Sequence, residues 1–163
     1  EYRRPVCMVE IPGGLYAVDE HAMLLPSSDF SPLEACRYPR LSGIHTVTEG
    51  PVGTRWEDAR VQGAAQIAAV LVDAWNDLRL TKIVPTGEVD LVYEVYTAQG
   101  GRVIWGHPPA MTRDEPSADD KLSQLKAHIA SQIPPVVPGT IELDLRQATR
   151  PVPRTAEVNT DMR

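Results

Sequence analysis

The first candidates for chemistry in this chain are its four histidines and its neighbouring carboxylates. The histidines are His21, His45, His107 and His128, and an imidazole can act as a general base or as a metal ligand. None of them has a His or Cys partner at the spacing that metal sites use. We therefore interpret each histidine as a solvated or locally hydrogen-bonded side chain.

Two pairs of adjacent carboxylates are the other candidates for chemistry: Asp19 with Glu20, and Asp119 with Asp120. Neighbouring residues on a strand point to opposite faces, so the first pair does not form a facing dyad. The second pair falls in the first turn of an expected helix, where negative charge favours the helix dipole. Because paired-carboxylate catalysis needs facing side chains, we expect neither pair to be catalytic.

The sequence motifs of the common enzyme classes are absent from the chain. It contains no glycine-rich dinucleotide loop or phosphate loop, and no G-x-S-x-G elbow of the hydrolases. Trp56, Trp75 and Trp105 could line a ligand pocket, but such residues more often pack in a core or hinge, and we interpret them in that way. We expect no catalytic residues, no cofactor and no metal.

Length and composition indicate one domain, with or without a tail, since the chain has 163 residues and a formal net charge of -6. The acidic balance and the scattered arginines argue against nucleic-acid binding. No apolar run reaches the ~18 residues that span a bilayer. Because the chain does not begin with Met, we interpret Glu1 as a boundary within a longer protein. Cys7 and Cys36 are compatible with one disulfide or with two buried thiols.

The first half of the chain predicts short strands followed by a long helix. Residues 5–11, 15–18 and 22–25 are expected to form an antiparallel meander. A loop at 27–39 and an extended segment at 38–44 follow. Thr54 is the expected N-cap of a helix over residues 56–78. The apolar stripe of this helix recurs at steps of three and four, at Val61, Ala64, Ala68, Leu71, Trp75 and Leu78.

The second half predicts a short strand at 80–85, a hairpin, a helix and a closing strand. Residues 89–96 alternate between apolar and polar positions, and Gln99-Gly100-Gly101 supplies the positive φ of a turn before a strand at 102–105. Ser117 with Asp120 resembles a capping box. The helix that follows has its apolar stripe at Leu122, Leu125, Ile129 and Ile133, and residues 140–146 form the last strand. We predict an α+β domain, a mostly antiparallel twisted β-sheet with two principal helices packed against it.

Short segments in this order resemble the extracytoplasmic β-domain of the FtsQ/DivIB bacterial cell-division proteins. EYRRPVC at residues 1–7 resembles the family's E-R-x-P-x-A, with Cys7 where Ala is usual, and residues 15–26 resemble its L-v-D-x-x-G-x-x-f hairpin, with His21-Ala22 in place of Gly. PRLSG at 39–43 is similar to L-P-x-L-x-G, and residues 96–106 are similar to the dG-x-x-v-x-l-G hairpin. KLSQL at 121–125 resembles K-L-x-x-L, and IELDLR at 141–146 resembles the closing i-D-L-R strand.

The resemblance implies that residues 1–154 are an FtsQ/DivIB-like β-domain and leaves 155–163 as a flexible C-terminal tail with little apolar content. Family members cross the membrane once and carry a POTRA domain and this β-domain outside it. We therefore expect an extracytoplasmic (periplasmic) location, anchored by a transmembrane helix that precedes this segment. Members act as non-enzymatic divisome scaffolds during septum formation. They bind division proteins of the FtsB and FtsL type by adding a partner strand to the sheet edge.

The resemblance also implies which residues bind the partner. In the family the contacts lie at the end of the D-L-R strand and just beyond it, and the matching positions here are Arg146, Gln147, Thr149, Val152 and Arg154.

Two prolines add a constraint on that edge. Pro151 and Pro153 are two residues apart, so their missing N–H groups lie on one side of a strand, and such a strand must be an edge. A partner strand is then expected to dock through fewer hydrogen bonds than usual, or to dock elsewhere. The alternative is an edge protected only against self-association.

Two other classes of function fit the same sequence. One is an extracytoplasmic enzyme whose site is built from isolated residues such as Asp19, His21 and His107, which a pocket gathering those groups would favour. The other is an envelope-assembly or secretion module that shares only the domain.

Overall fold

A computed structural model of the protein describes residues 3–26, 28, 30–48, 50–111, 114–131 and 141–147, with backbone only at 141 and 142. The strands in these ranges are β1 (Cys7–Ile11), β2 (Gly14–Val18), β3 (Arg40–Leu41), β4 (Leu80–Thr86), β5 (Val92–Thr97), β6 (Arg102–Gly106) and β7 (Ile141–Asp144). The helices are α1 (Pro32–Ala35), α2 (Ala59–Leu71) and α3 (Ala118–Ser131), with a 3-10 turn at Pro109–Met111.

The strands form one sheet in the order β2-β1-β3-β4-β5-β6-β7. The neighbours β1–β2, β4–β5 and β5–β6 are antiparallel, whereas β1–β3, β3–β4 and β6–β7 are parallel. The α+β class is therefore confirmed, but the expectation of a mostly antiparallel sheet is wrong. The reason is that a helix crosses over between β3 and β4 and another between β6 and β7, and such a connection brings the chain back in the same direction.

The main core lies between one face of the sheet and the two long helices. Alternate strand residues such as Cys7, Val9, Val95 and Val103 join the α2 stripe and Leu125 of α3 in one buried cluster. The opposite face carries a smaller cluster, in which Met8 and Ala17 pack with Ala35 of α1. Period-two alternation along β1 thus supplies both clusters.

Cys7 behaves as an apolar core residue. It is fully buried and free, and burial raises the pKa of its thiol to about 12. Cys36 is also free but exposed. Neither a disulfide nor a pair of buried thiols is therefore present.

The predicted stripe of helix α2 is confirmed, because all six stripe residues, from Val61 to Leu78, are buried. Its ends differ from the prediction. The N-cap is Asp58, whose carboxylate accepts the Arg60 N–H at 2.9 Å, and the Thr54 hydroxyl instead donates to the Pro51 carbonyl at 2.7 Å. Regular helix stops at Leu71, and irregular turns carry the chain to Arg79, which has a φ of 52°.

Several strand predictions change in detail. The expected strand at 22–25 is reduced to single bridges, Val18 with Leu24 and Met23 with Arg55. The loop at 27–39 contains α1, which Ser31 and Glu34 cap reciprocally. Strand β5 begins at Val92 rather than at residue 89.

The polar positions of β5 are not all exposed. Glu94 is 5% exposed, because the Arg102 guanidinium pairs with it and the Tyr96 hydroxyl donates to it at 2.9 Å. The hairpin turn itself is confirmed, with Gly100 at a φ of 84°. Ile133 of the expected α3 stripe, the proline pair at 151 and 153, and the expected tail at 155–163 lie outside the described residues.

Gly63 shows why α2 tolerates a weak helix former. A Cβ at this position would collide with the Tyr93 hydroxyl oxygen and would lie 2.8 Å from Pro108 Cγ. The Tyr93 hydroxyl donates to the Arg60 carbonyl at 2.8 Å, so the ring cannot move away cheaply. Glycine at 63 therefore sets the distance between α2 and the β5–β6 hairpin.

We predict that Gly63→Ala lowers the free energy of unfolding by about 1 kcal/mol. Overpacking at the middle of its usual range costs about 2 kcal/mol, which exceeds the gain of about 1 kcal/mol in helix propensity. Urea unfolding monitored by circular dichroism measures the difference. The matched control is Gly14→Ala, whose added Cβ would have its nearest neighbour 3.9 Å away. A Gly63→Ala chain as stable as the parent would contradict this account of the packing.

Candidate functional site at the C-terminal border of the sheet

Strand β7 borders the sheet in the part of the chain that the structure describes. It runs parallel to β6, with Leu143 opposite Val103 and Asp144 opposite Ile104, and the Leu145 N–H donates to the Ile104 carbonyl at 2.8 Å. In a parallel strand, alternate residues direct their backbone groups to opposite sides. The register shifts between Arg102 and Val103, at the level of Glu142, so regular alternation holds only beyond this point. Because the Leu145 N–H faces β6, the backbone N–H of Asp144 points away from β6.

Arg146 is fixed at the end of this border by Asp144. Its Nη2 and Nε donate to the two carboxylate oxygens at 2.7 and 2.9 Å, and its backbone N–H donates to Oδ1 at 3.0 Å. The Arg146 guanidinium holds the pKa of Asp144 below its ordinary value, and Asp144 raises the pKa of Arg146. The Arg146 side chain is 43% exposed, so it presents a positioned cation to the outside.

Of the five residues expected to bind a partner, the structure describes Arg146 and Gln147, and both are exposed. Thr149, Val152 and Arg154 lie outside the described residues. The border therefore brings together the first two of the expected contacts.

Glu115 lies directly behind the border and gathers several donors. Lys121 Nζ lies 2.5 Å from Glu115 Oε2, and the His107 backbone N–H donates to the same oxygen at 3.1 Å. Burial raises the pKa of Glu115, but the hydrogen bonds from Lys121 and His107 outweigh it and hold the pKa below the ordinary value. Glu115 is thus a buried anion that its donors stabilise.

The other surroundings of this carboxylate connect it to both β6 and β7. A Cβ on Gly106, which has a φ of 102°, would collide with Glu115 Oε2 and with the stem of Arg146. Lys121 is 0% exposed, and its ammonium lies 5.5 Å from the centre of the Trp105 ring. The cluster therefore joins the end of β6, the start of α3 and Arg146, which lies two residues beyond β7.

His107 lies at the outer side of the cluster between two carboxylates. Its Nδ1 is 2.5 Å from Glu115 Oε1, and its Nε2 is 2.6 Å from Asp90 Oδ1. The hydrogen bond with Glu115, and then that with Asp90, raise the pKa of His107 above its ordinary value, while burial opposes the change. The interpretation of His107 as a locally hydrogen-bonded histidine is confirmed.

The sequence analysis did not single out Glu115 or Asp90, and it noted Lys121 only within a resemblance. A signal for Lys121 exists, because it lies four residues before Leu125 and hence on the apolar stripe of α3. A lysine in that position must find an anionic partner when it is buried. Nothing local marks Glu115 as that partner, since it lies outside the helix and before Pro116.

Of the three residues suggested for an enzyme site, Asp19 and His21 lie together, and His107 has a separate set of partners. Asp19 is 4% exposed and accepts the backbone N–H groups of His21 and Met23 at 2.9 Å each and the Arg3 guanidinium at 2.9 Å. Burial raises the pKa of Asp19, but these hydrogen bonds outweigh it and lower the pKa. Asp19 thus closes a turn, and His107 is not one of these partners.

The remaining candidates have structural roles. Asp119 and Asp120 are exposed in the first turn of α3, and the Asp120 N–H donates to the Ser117 hydroxyl at 3.2 Å. Trp56, Trp75 and Trp105 are at most 2% exposed, which confirms the core interpretation. Beside Asp19 an open cleft of about 530 Å³ is lined by Arg3, Arg4, Glu20, His21 and Asp73, among others. Arg4 and Asp73 pair there at 2.8 Å.

Searches of the described residues find no cluster of His, Cys, Asp and Glu arranged to hold a metal ion. Among the same residues, no helix combines the length and the apolar character needed to cross a membrane. Comparison with protein-family models, characterised proteins and solved structures gives no match.

We predict that Lys121→Met lowers the free energy of unfolding by about 3 kcal/mol, because it leaves the buried Glu115 carboxylate without its main donor. The matched control is Lys126→Met, which removes an exposed lysine from the same helix and should change stability by no more than about 0.5 kcal/mol. Chemical denaturation of both variants at neutral pH makes the comparison. Equal effects of the two substitutions would show that the cluster does not stabilise the fold.

Proposed function

We propose that this domain is a non-enzymatic scaffold that binds other proteins at the C-terminal border of its sheet. The observation that carries the proposal is the border itself. Strand β7 is the last described strand on this side, and the backbone N–H of Asp144 points away from β6. A partner segment in extended conformation can bind such groups through main-chain hydrogen bonds.

The side chains at the border support binding of a protein rather than of a small molecule. Arg146 is exposed but already oriented by Asp144, so little conformational entropy is lost when a partner carboxylate binds it. Gln147 is exposed beside it. These two residues, with Thr149, Val152 and Arg154 further along the chain, are the proposed partner contacts.

The biological setting of the proposal rests on the resemblance to the FtsQ/DivIB β-domain. On that basis the partners are division proteins of the FtsB and FtsL type, bound during septum formation. The domain then acts outside the bacterial cytoplasmic membrane, where a transmembrane helix in a preceding segment holds it. Residues 141–146 resemble the family's closing strand, and they include β7 and Arg146. The resemblance and the geometry therefore support the same border as the binding site.

We predict that Arg146→Glu weakens binding of the extracytoplasmic segment of an FtsB-type partner about tenfold, as expected for a central charged contact. The Pro151→Ala, Pro153→Ala double variant should tighten binding a few-fold, because it restores two backbone donors at about 1 kcal/mol or less each. Calorimetric titration of the purified partner segment measures both effects.

The control for the charge reversal is Arg37→Glu, since Arg37 is exposed and follows α1 at the other side of the sheet. It should leave the affinity unchanged within about twofold. If the proline variant and Arg146→Glu both bind as the parent does, the partner does not dock at this border.

A further inference from the structure

The His107 ring makes a pair of contacts that only its charged form can satisfy together. Both ring nitrogens face carboxylate oxygens, Glu115 Oε1 at 2.5 Å from Nδ1 and Asp90 Oδ1 at 2.6 Å from Nε2. An ionised carboxylate only accepts hydrogen bonds, and a neutral imidazole has a single N–H donor. The ring must therefore carry both protons to donate to Glu115 and Asp90 at once.

These contacts connect two segments that are far apart in sequence. Asp90 belongs to the turn between β4 and β5, where Val89 is 100% exposed and the Asp90 side chain is 79% exposed. Leu91 packs against the core at one end of this turn. Among the described side chains, the Asp90 carboxylate has His107 as its hydrogen-bond partner. This contact holds the outer part of the turn in place.

We propose that His107 is a pH-operated latch, which clips the 87–91 turn to Glu115 when its ring carries both protons and releases Asp90 when the ring is neutral. The single remaining proton stays on Nδ1, because Glu115 is the more buried carboxylate, at 10% exposure against 79% for Asp90. The Nε2 lone pair then faces the Asp90 oxygen and repels it. The release regulates partner docking only if the proposed function holds.

The charged groups around His107 determine whether a rise in pH opens or closes the latch. Glu115 faces the ring from the segment before α3, and Asp90 faces it from the β4–β5 turn. Lys121 of α3 binds the other oxygen of Glu115, and Arg146 after β7 interacts with Glu115 electrostatically. The carboxylates raise the pKa of His107 above 6.5. The latch is therefore closed on the acidic side of the raised pKa of His107, and it opens as the pH rises through that value.

Opening of the latch changes the electrostatic environment of Arg146 at the β7 border, and Glu115 transmits the effect. A protonated His107 shares the negative charge of Glu115 with Lys121. When the ring loses its proton, more of that charge acts on Arg146. The Arg146 guanidinium is then less available to bind an acidic group of a partner. Partner affinity should fall as the pH rises, by about fivefold, at the low end of typical couplings between sites.

The experiment that tests the latch is an NMR titration of the His107 ring in the whole chain, in the parent and in Asp90→Asn. We expect a midpoint above 6.5 in the parent and a lower midpoint in the variant, because the variant removes the Asp90 charge. The protection factors of the amides at residues 88–90, which correct for the intrinsic rise of exchange with pH, should fall as the parent titrates. The control Asp77→Asn removes another exposed carboxylate and should change neither quantity. A parent midpoint at or below 6.5, or one that Asp90→Asn does not lower, would overturn the latch.

Partner titrations at several pH values separate this inference from the proposed function. In the parent, affinity should fall across the His107 midpoint, and in His107→Gln it should stay constant with pH. A pH-independent affinity in the parent would overturn the coupling and leave the scaffold proposal intact. Absence of binding at every pH would overturn the scaffold proposal, while the titration of His107 would still decide the latch.

Discussion

The buried carboxylate of Glu115 is the constraint on which the C-terminal part of this domain depends. It accepts hydrogen bonds from Lys121 of α3 and from His107 after β6, and it lies against Gly106 and the stem of Arg146. Separating any of these groups would leave a charge in the interior without a partner, which costs several kcal/mol. One ionic cluster therefore holds the end of β6, the start of α3 and Arg146 in a fixed arrangement.

This cluster gives the sheet its C-terminal border. Helix α3 carries the chain from the end of β6 back to its start, so β7 is added in parallel beside β6. Leu143 of β7 and the buried Leu145 just after it pack against the core, and the backbone N–H of Asp144 points away from β6. A strand border with one oriented arginine is suited to binding an extended protein segment.

Local sequence patterns predicted the elements well wherever one periodicity dominates. The α2 stripe and the turn at Gly100 are found as expected, because apolar spacing and positive φ are local properties. The strand directions were missed, because neighbours such as β1 and β3 are far apart in the chain and their relation depends on the crossovers. The pairing of Glu115 with Lys121 was missed for a different reason: only six residues separate them, but Glu115 lies outside α3 and belongs to no periodic pattern. It arises only when the loop before α3 folds back under Gly106.

The central claim is that a partner adds a strand to β7, and amide hydrogen exchange at single-residue resolution tests it most directly. The account predicts that addition of an FtsB-type partner segment slows exchange of the Asp144 amide, whereas the Leu145 amide, already bonded to Ile104, changes little. Protection that appears along β2, at the opposite border of the sheet, or along no strand at all, would contradict the account.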